Sequence, residues 1–230
     1  IWPGNSKRQL WFMQHFKTTA IHVLPSYALR LSTFFDELGI EPKRDLFLRM
    51  AFVGAEPHTE ETRRKIEESY GITVFNSYGL SEMCGPGVAF ECPHQTGLHL
   101  WEDHFLMEVI DPDTGEHVPD GEWGELVLTT LQRAASPLIR YRTRDISRII
   151  REKCECGRTN QRLERIKGRT DDMIIIRGVN LFPSQIEDLL MKIEGVEPHY
   201  QLIVDRVNNL DTLEVLVECN EKIMSDKISG

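Results

Sequence analysis

Apolar residues in the first ninety positions follow two spacings, short β-branched runs and longer helical patterns. Residues 19–24, 48–53 and 72–75 (Ile72-Thr73-Val74-Phe75) are short apolar runs with the composition of strands. Between them lie helical patterns. One starts at Pro25-Ser26, carries Leu29, Leu31, Phe34, Phe35 and Leu38, and stops at Gly39. Another, highly charged, covers 59–70 and is closed by Gly71. Ahead of the first strand, Ser6-Lys7-Arg8-Gln9 has the form of a capping box and predicts a helix start at Ser6, before Leu10, Met13 and Phe16. Strand, helix, strand, helix, strand with short connections predicts a parallel sheet with right-handed crossovers. Ligands of such sheets bind beyond the carboxyl ends of the strands. Those ends fall at Pro25-Ser26, Gly54-Ala55-Glu56 and Ser77-Tyr78.

The texture changes after Cys92. Residues 98–101, 105–110, 124–130, 138–142 and 146–150 are short strand-like runs, the early ones separated by turns such as Asp111-Pro112-Asp113-Thr114-Gly115. They predict an antiparallel, distorted barrel. From Gly168 the pattern becomes strand (173–176), helix (184–193), strand (201–205), strand (213–218), a small α+β unit. The expected fold class is therefore α/β: a parallel βαβ portion over 1–91, a barrel-like portion over 92–167, and a small α+β domain over 168–230.

Composition narrows the function. Net charge is −9, from 27 basic and 36 acidic residues, which disfavours a nucleic-acid-binding face. No apolar run approaches the ~18 residues of a membrane span. Five cysteines, an odd count without the density of a disulfide scaffold, point to a reducing, cytoplasmic setting.

Chemistry concentrates where the third strand ends, at Asn76-Ser77-Tyr78-Gly79-Leu80-Ser81-Glu82. An aromatic ring there can stack on a base. Ser81 can bond a phosphate oxygen, and Glu82 can hold a Mg²⁺ that carries phosphates. That set suits a nucleoside triphosphate attacked at its α-phosphate. Asp145 sits among Arg140, Arg142, Arg144 and Arg148. It either pairs with a neighbouring Arg or accepts two vicinal ribose hydroxyls, and we take the second reading because one carboxylate can accept both. Cys92, Cys154 and Cys156 with a histidine would complete a four-ligand structural zinc site. His99 is preferred to His94, since it lies in a strand-like run, off the face that carries Leu98 and Leu100. Two free thiols on a turn are the alternative.

Three blocks in order, the Asn76 to Glu82 stretch, Tyr141-Arg142-Thr143-Arg144-Asp145, and Gly168-Arg169-Thr170-Asp171 running on through Gly178 to Glu187, resemble the adenylate-forming superfamily of acyl-CoA synthetases. Gly54-Ala55-Glu56-Pro57, Ser81-Glu82-Met83-Cys84-Gly85-Pro86-Gly87, Trp101-Glu102-Asp103-His104-Phe105 and Pro198-His199-Tyr200-Gln201-Leu202 resemble its phenylacetate–CoA ligase branch. The resemblance implies ATP-dependent joining of an aryl acid to coenzyme A through an acyl-adenylate, with release of AMP and pyrophosphate. Phenylacetate is the first candidate acid, ahead of indoleacetate or benzoate. A non-catalytic nucleotide-binding fragment is the rival.

By the same resemblance, Ala55, Glu56, Pro57, Asn76, Ser77, Tyr78, Gly79 and Asp145 hold ATP and AMP, with the Tyr78 ring on adenine. Ser81 and Glu82 act at the phosphates, Glu82 through Mg²⁺. Arg169 reaches ribose or phosphate. Asp171 is the hinge of the small domain, and Gly178 lines the path of coenzyme A. Met83, Cys84, Gly85 and Pro86 wall the acyl pocket. The resemblance also places a Gly/Ser/Thr-rich phosphate loop upstream of residue 1 and a catalytic Lys beyond Gly230. It leaves a homodimer open.

Overall fold

A computed structural model describes residues 5–83, 85–177, 179–193, 195–207 and 210–219. Helix α1 (Ser6–His15) leads into β1 (Ala20–Val23), α2 (Pro25–Ser32), α3 (Phe35–Leu38), α4 (Pro42–Asp45), β2 (Met50–Val53), α5 (Glu60–Tyr70) and β3 (Thr73–Leu80). A 3₁₀ turn, Ser81–Met83, precedes β4 (Gly85–Glu91) and β5 (Leu98–Leu100). Strands β1, β2 and β3 are parallel, in that order, as the βαβ pattern requires. Helix α5 is delimited as expected: Thr59 Oγ1 accepts from the Thr62 amide at 3.1 Å, and Gly71 closes the helix at φ +67°. It is less of a surface helix than its charge suggests, because Thr62, Arg63, Ile66 and Tyr70 are buried.

Two local expectations fail. Ser6 is not a cap: Asn5 takes that position without a side-chain bond, and Ser6 Oγ lies 3.1 Å from the Tyr27 hydroxyl. The single helix expected from Pro25 to Gly39 is broken between α2 and α3. There Ser32 Oγ donates to the Leu29 carbonyl at 2.7 Å and Thr33 Oγ1 to the Arg30 carbonyl at 2.8 Å, side-chain bonds that compete with the helical ladder.

The parallel strands belong to a seven-stranded mixed sheet that continues through β4, β5, β10 (Arg162–Leu163) and β9 (Ile149–Ile150). The expected barrel-like portion is therefore built from the antiparallel half of this sheet and a second sheet. That second sheet contains β6 (Phe105–Ile110), β7 (Gly124–Thr130), β8 (Tyr141–Ser147) and β11 (Gly168–Arg169), in the order β11-β8-β7-β6. The two strands expected over 138–142 and 146–150 are divided differently, as a long β8 and a short β9. Thr143, Asp145 and Ser147 are the inward, buried positions of β8, so its polar centre hides its continuity from a hydrophobicity reading. Two apolar cores result. One, around Leu10, Leu31, Val53, Ile66 and Val74, joins the helices to the parallel strands. The other, around Leu98, Leu100, Leu126, Leu128 and Leu163, lies between the two sheets' antiparallel strands. Each such side chain contributes roughly 1.5–3 kcal/mol by burial.

The C-terminal part holds β12 (Ile174–Ile176), β13 (Val179–Leu181), α6 (Pro183–Leu190) and the long hairpin β14 (Val196–Val207) with β15 (Leu210–Cys219). Gly168, taken from the sequence as the start of the small unit, is still paired to β8 across from Ile146. The connection to the C-terminal elements follows it, through bends at 170–172.

Candidate functional site

Strand β3 outruns its parallel neighbour. Pairing with β2 ends at Val53 opposite Asn76. The expected strand end at Phe75 is thus too early, since β3 continues to Leu80 by pairing with β4, Tyr78 opposite Ala89. The motif residues occupy this overhang, beside the carboxyl end of β2. The two segments touch there, because a Cβ on Gly54 would collide with the Ser77 carbonyl. Ala55 follows in the left-handed region at φ +65°, a conformation that costs a non-glycine residue roughly 1–2 kcal/mol. Its neighbour Glu56 accepts from the Ser26 amide at 3.2 Å and from Ser26 Oγ at 2.9 Å, fastening this turn to the start of α2.

Every described nucleotide-binding residue expected from the sequence lines one cavity of about 330 Å³. Ala55, Glu56 and Pro57 come from the end of β2, Asn76, Ser77, Tyr78 and Gly79 from β3, Asp145 from β8 and Arg169 from β11. Gly178, the remaining one, lies outside the described residues, as does Cys84. At the centre is Asp145, only 9% exposed. Its Oδ2 accepts a 2.6 Å bond from the Tyr78 hydroxyl and its Oδ1 a 3.1 Å bond from Arg169 Nη1. The alternative set aside above, an ion pair with an Arg adjacent in sequence, is not formed among the described residues: Asp145 pairs with Arg169, on another strand, and Arg142 is drawn to buried Glu125. Burial pushes the Asp145 carboxyl up, with Tyr78 and Arg169 opposing, whereas Arg169 itself is held charged, first by Asp171. Burial also raises the Tyr78 phenol, so it stays a donor.

Arg169 bridges two acids. Beyond Asp145 it forms a two-pronged pair with Asp171, Nε to Oδ1 and Nη2 to Oδ2, both at 2.9 Å. That pairing holds the Asp171 carboxyl below its ordinary range.

A second cavity, of about 310 Å³, shares Gly54, Ala55, Ser77 and Gly79 with the first and adds Ser81, Gly85 and Pro86. Glu82 lines neither cavity. It is exposed in the 3₁₀ turn, its carbonyl accepts from Arg133, and its carboxylate lies beside Tyr141, whose phenol is raised by burial and by that contact.

Two lining residues escaped the sequence reading. His58 is pushed down to about 4 by burial, with Arg165 adding to the effect, and its Nε2 has no partner among the described residues. Arg165 pairs with Glu60 at 2.8 Å while its Nη2 lacks a partner among them. Each is a single polar residue with no motif around it. Only the fold brings them to the cavity.

Away from the cavity, the four residues expected to bind zinc do converge. One ligand atom from each of Cys92, His99, Cys154 and Cys156 lies within 4.8 Å of all the others. His94 is turned away toward Glu155, at 3.4 Å.

Residues 1–134 match the model of the AMP-binding enzyme family, and residues 178–230 match that of the AMP-binding enzyme C-terminal domain. The chain is 47% identical over 234 residues to a phenylacetate-coenzyme A ligase of Thermus thermophilus, covering 98% of this chain and 52% of that protein. It thus spans about half the length of the curated relatives it matches. Among solved structures, 2-hydroxyisobutyryl-CoA ligase in its postadenylation state with 2-HIB-AMP superposes with a TM-score of 0.89 at 31% identity, covering 98% of this chain and 48% of that one. Against the same ligase in its thioesterification state with 2-HIB-AMP and CoA, over the same shares, the TM-score is 0.70. The chain belongs to the AMP-binding enzyme family of adenylate-forming ligases.

Proposed function

We propose that the protein activates an aryl acid, phenylacetate first, with ATP and transfers the acyl group to the thiol of coenzyme A. The observation that carries this reading is the pair of adjoining cavities that share the backbone of Gly54, Ala55, Ser77 and Gly79. A nucleotide in the first and an acid in the second would meet at that shared wall. The identity to a phenylacetate-coenzyme A ligase supports the choice of acid.

In the first half-reaction a carboxylate oxygen bonds to the α-phosphorus as the bond to pyrophosphate breaks. Asp145 accepts ribose hydroxyls: a carboxylate has about four lone-pair positions, and Tyr78 and Arg169 take two. The Tyr78 ring forms part of the base pocket, fixed by its own bond to Asp145. Ser81 hydrogen-bonds the acyl-phosphate region. Magnesium held by Glu82 would neutralise phosphate charge. The remaining contribution is placement of the two reactants, which lowers the entropic part of the barrier.

In the second half-reaction the thiol attacks the acyl carbon and AMP leaves. Asp171, just after β11, the last strand in sequence of the four-stranded sheet, is the pivot for the C-terminal elements. The lower similarity to the thioesterification state than to the postadenylation state of one ligase supports a rearrangement between the steps. We place the reaction in the cytoplasm. No helix among the described residues is long and apolar enough to cross a membrane.

Pyrophosphate release by the intact protein tests the order of events. It should require ATP and the aryl acid but not coenzyme A. Release that depends on coenzyme A would contradict an acyl-adenylate.

A further inference from the structure

Two turns face each other at one side of the seven-stranded sheet. Cys92 follows β4, in a turn closed by the Gln95 amide on the Cys92 carbonyl at 2.9 Å. Cys154 and Cys156 lie in the loop between β9 and β10, in a turn closed by the Gly157 amide on the Cys154 carbonyl at 3.1 Å. His99, on β5 between them, sits opposite both Phe90 and Arg162. Its neighbours Leu98 and Leu100 belong to the core, so its ring is directed to the other side, where it too is buried at 6% exposure.

The geometry points to a closed structural zinc site formed by Cys92, His99, Cys154 and Cys156, a proposal that stands independently of the one for catalysis. The Cys92 and Cys154 sulfurs are 3.5 Å apart, and the Cys156 sulfur is 3.4 Å from His99 Nε2. Bond lengths of about 2.3 Å to sulfur and 2.0–2.1 Å to nitrogen put tetrahedral zinc ligands roughly 3.5–3.8 Å apart, so these separations are close to what the metal needs. Three sulfurs and one imidazole nitrogen form a ligand set that favours zinc over the hard cations.

The surroundings suit a metal thiolate. The His94 backbone lies beside the Cys92 sulfur and the Arg158 backbone beside the Cys156 sulfur. The Arg158 guanidinium is also close to Cys156, and its charge would offset the single net negative charge of zinc with three thiolates. The nitrogen that would bind the metal is His99 Nε2, which faces the Cys156 sulfur, while Nδ1 has no partner among the described residues. Arg162 already clamps the same two segments, donating to Thr96 Oγ1 at 2.8 Å and to the Glu152 carbonyl. With all four positions filled by protein, the ion has no open place for a substrate. Its role is to fasten the loop between β9 and β10 to β5 and to the connection between β4 and β5. Cys92 and His99 also line an apolar cavity of about 570 Å³ with Phe52, Phe90 and Trp101, so the metal would fix one wall of it.

Elemental analysis of the intact, untagged protein, purified without added metal, tests the site. The expected result is about one zinc per chain, with slow reaction of these thiols until a chelator is added. Cobalt(II) exchanged into the protein should show tetrahedral and thiolate-to-metal absorption. Cys154→Ser should lose most of the zinc. If that variant does not fold, X-ray absorption on the unaltered protein decides: sulfur at about 2.3 Å from zinc supports the site, and a shell of oxygen and nitrogen alone overturns it. Metal below about a tenth of an equivalent with freely reacting thiols, or a Cys92 to Cys154 disulfide in the mass spectrum, would also overturn it.

Discussion

The Tyr78 hydroxyl donates a 2.6 Å hydrogen bond to Asp145 Oδ2, joining β3 of one sheet to β8 of the other at the cavity that both line. Tyr78→Phe would leave one oxygen of a buried carboxylate without its donor. Its expected cost is about 1–3 kcal/mol of stability, read by urea unfolding, together with a higher KM for ATP. A change below about 0.5 kcal/mol would show that Asp145 is satisfied elsewhere.

Glu82→Ala in the intact protein should slow pyrophosphate release by about two orders of magnitude while aryl-acid binding changes little. Glu82 is exposed and lies outside both cavities, so its proposed action is on phosphate charge through a metal ion, not on ground-state contacts with the acid. An unchanged release rate would remove Glu82 from the site.

Asp171 tests the pivot, with a control supplied by its pairing to Arg169. Asp171→Pro fixes φ near −65° and should spare adenylation while thioester formation falls. Asp171→Asn weakens the ion pair but leaves the backbone free, so it should affect thioester formation much less. Equal loss of both half-reactions in the proline variant would contradict the pivot.

Helix α6 rests on the large unit through Glu187, whose carboxyl is pushed up to about 7. Burial is the main cause, nearby Glu56 and Asp188 add to it, and the hydrogen bond with Thr62 opposes it. Because the value in this packing exceeds the ordinary ~4.3, the uncharged form is the one favoured here. The contact is therefore firmest below about pH 4.3 and is lost as pH rises through about 7. Carbon-13 NMR should find the Glu187 carboxyl titrating near 7, and Glu187→Gln should make proteolysis at 170–177 insensitive to pH in that range. Titration at the ordinary carboxylate value would contradict this packing.

Much of this arrangement was legible because local chemistry agreed with the fold. Thr59 and Gly71 mark α5 at both ends, and β-branched runs mark β1 to β3. The residues that line the 330 Å³ cavity were largely legible because a strand overhang concentrates many of them in sequence. Zinc-type residues stood out by kind, and β5 distinguishes His99 from His94. Strand β4 was not legible: Gly85-Pro86-Gly87 reads as a turn, and only pairing with β3 and β5 makes it extended. Arg169 as the partner of Asp145 was equally hidden, since the charges nearest Asp145 in sequence point elsewhere. The closeness of His58 and Arg165 depends on chain segments far apart in sequence.

Aryl-CoA ligation itself is tested most directly by thioester formation. The intact protein would be given ATP, magnesium, coenzyme A and, one at a time, phenylacetate, indoleacetate, benzoate and 2-hydroxyisobutyrate, with thioester and AMP measured by mass spectrometry. Phenylacetyl-CoA and AMP are expected in equal amounts, with the highest kcat/KM for phenylacetate. Thioester formation from 2-hydroxyisobutyrate alone, or phenylacetate consumption yielding ADP instead of AMP, would contradict this expectation.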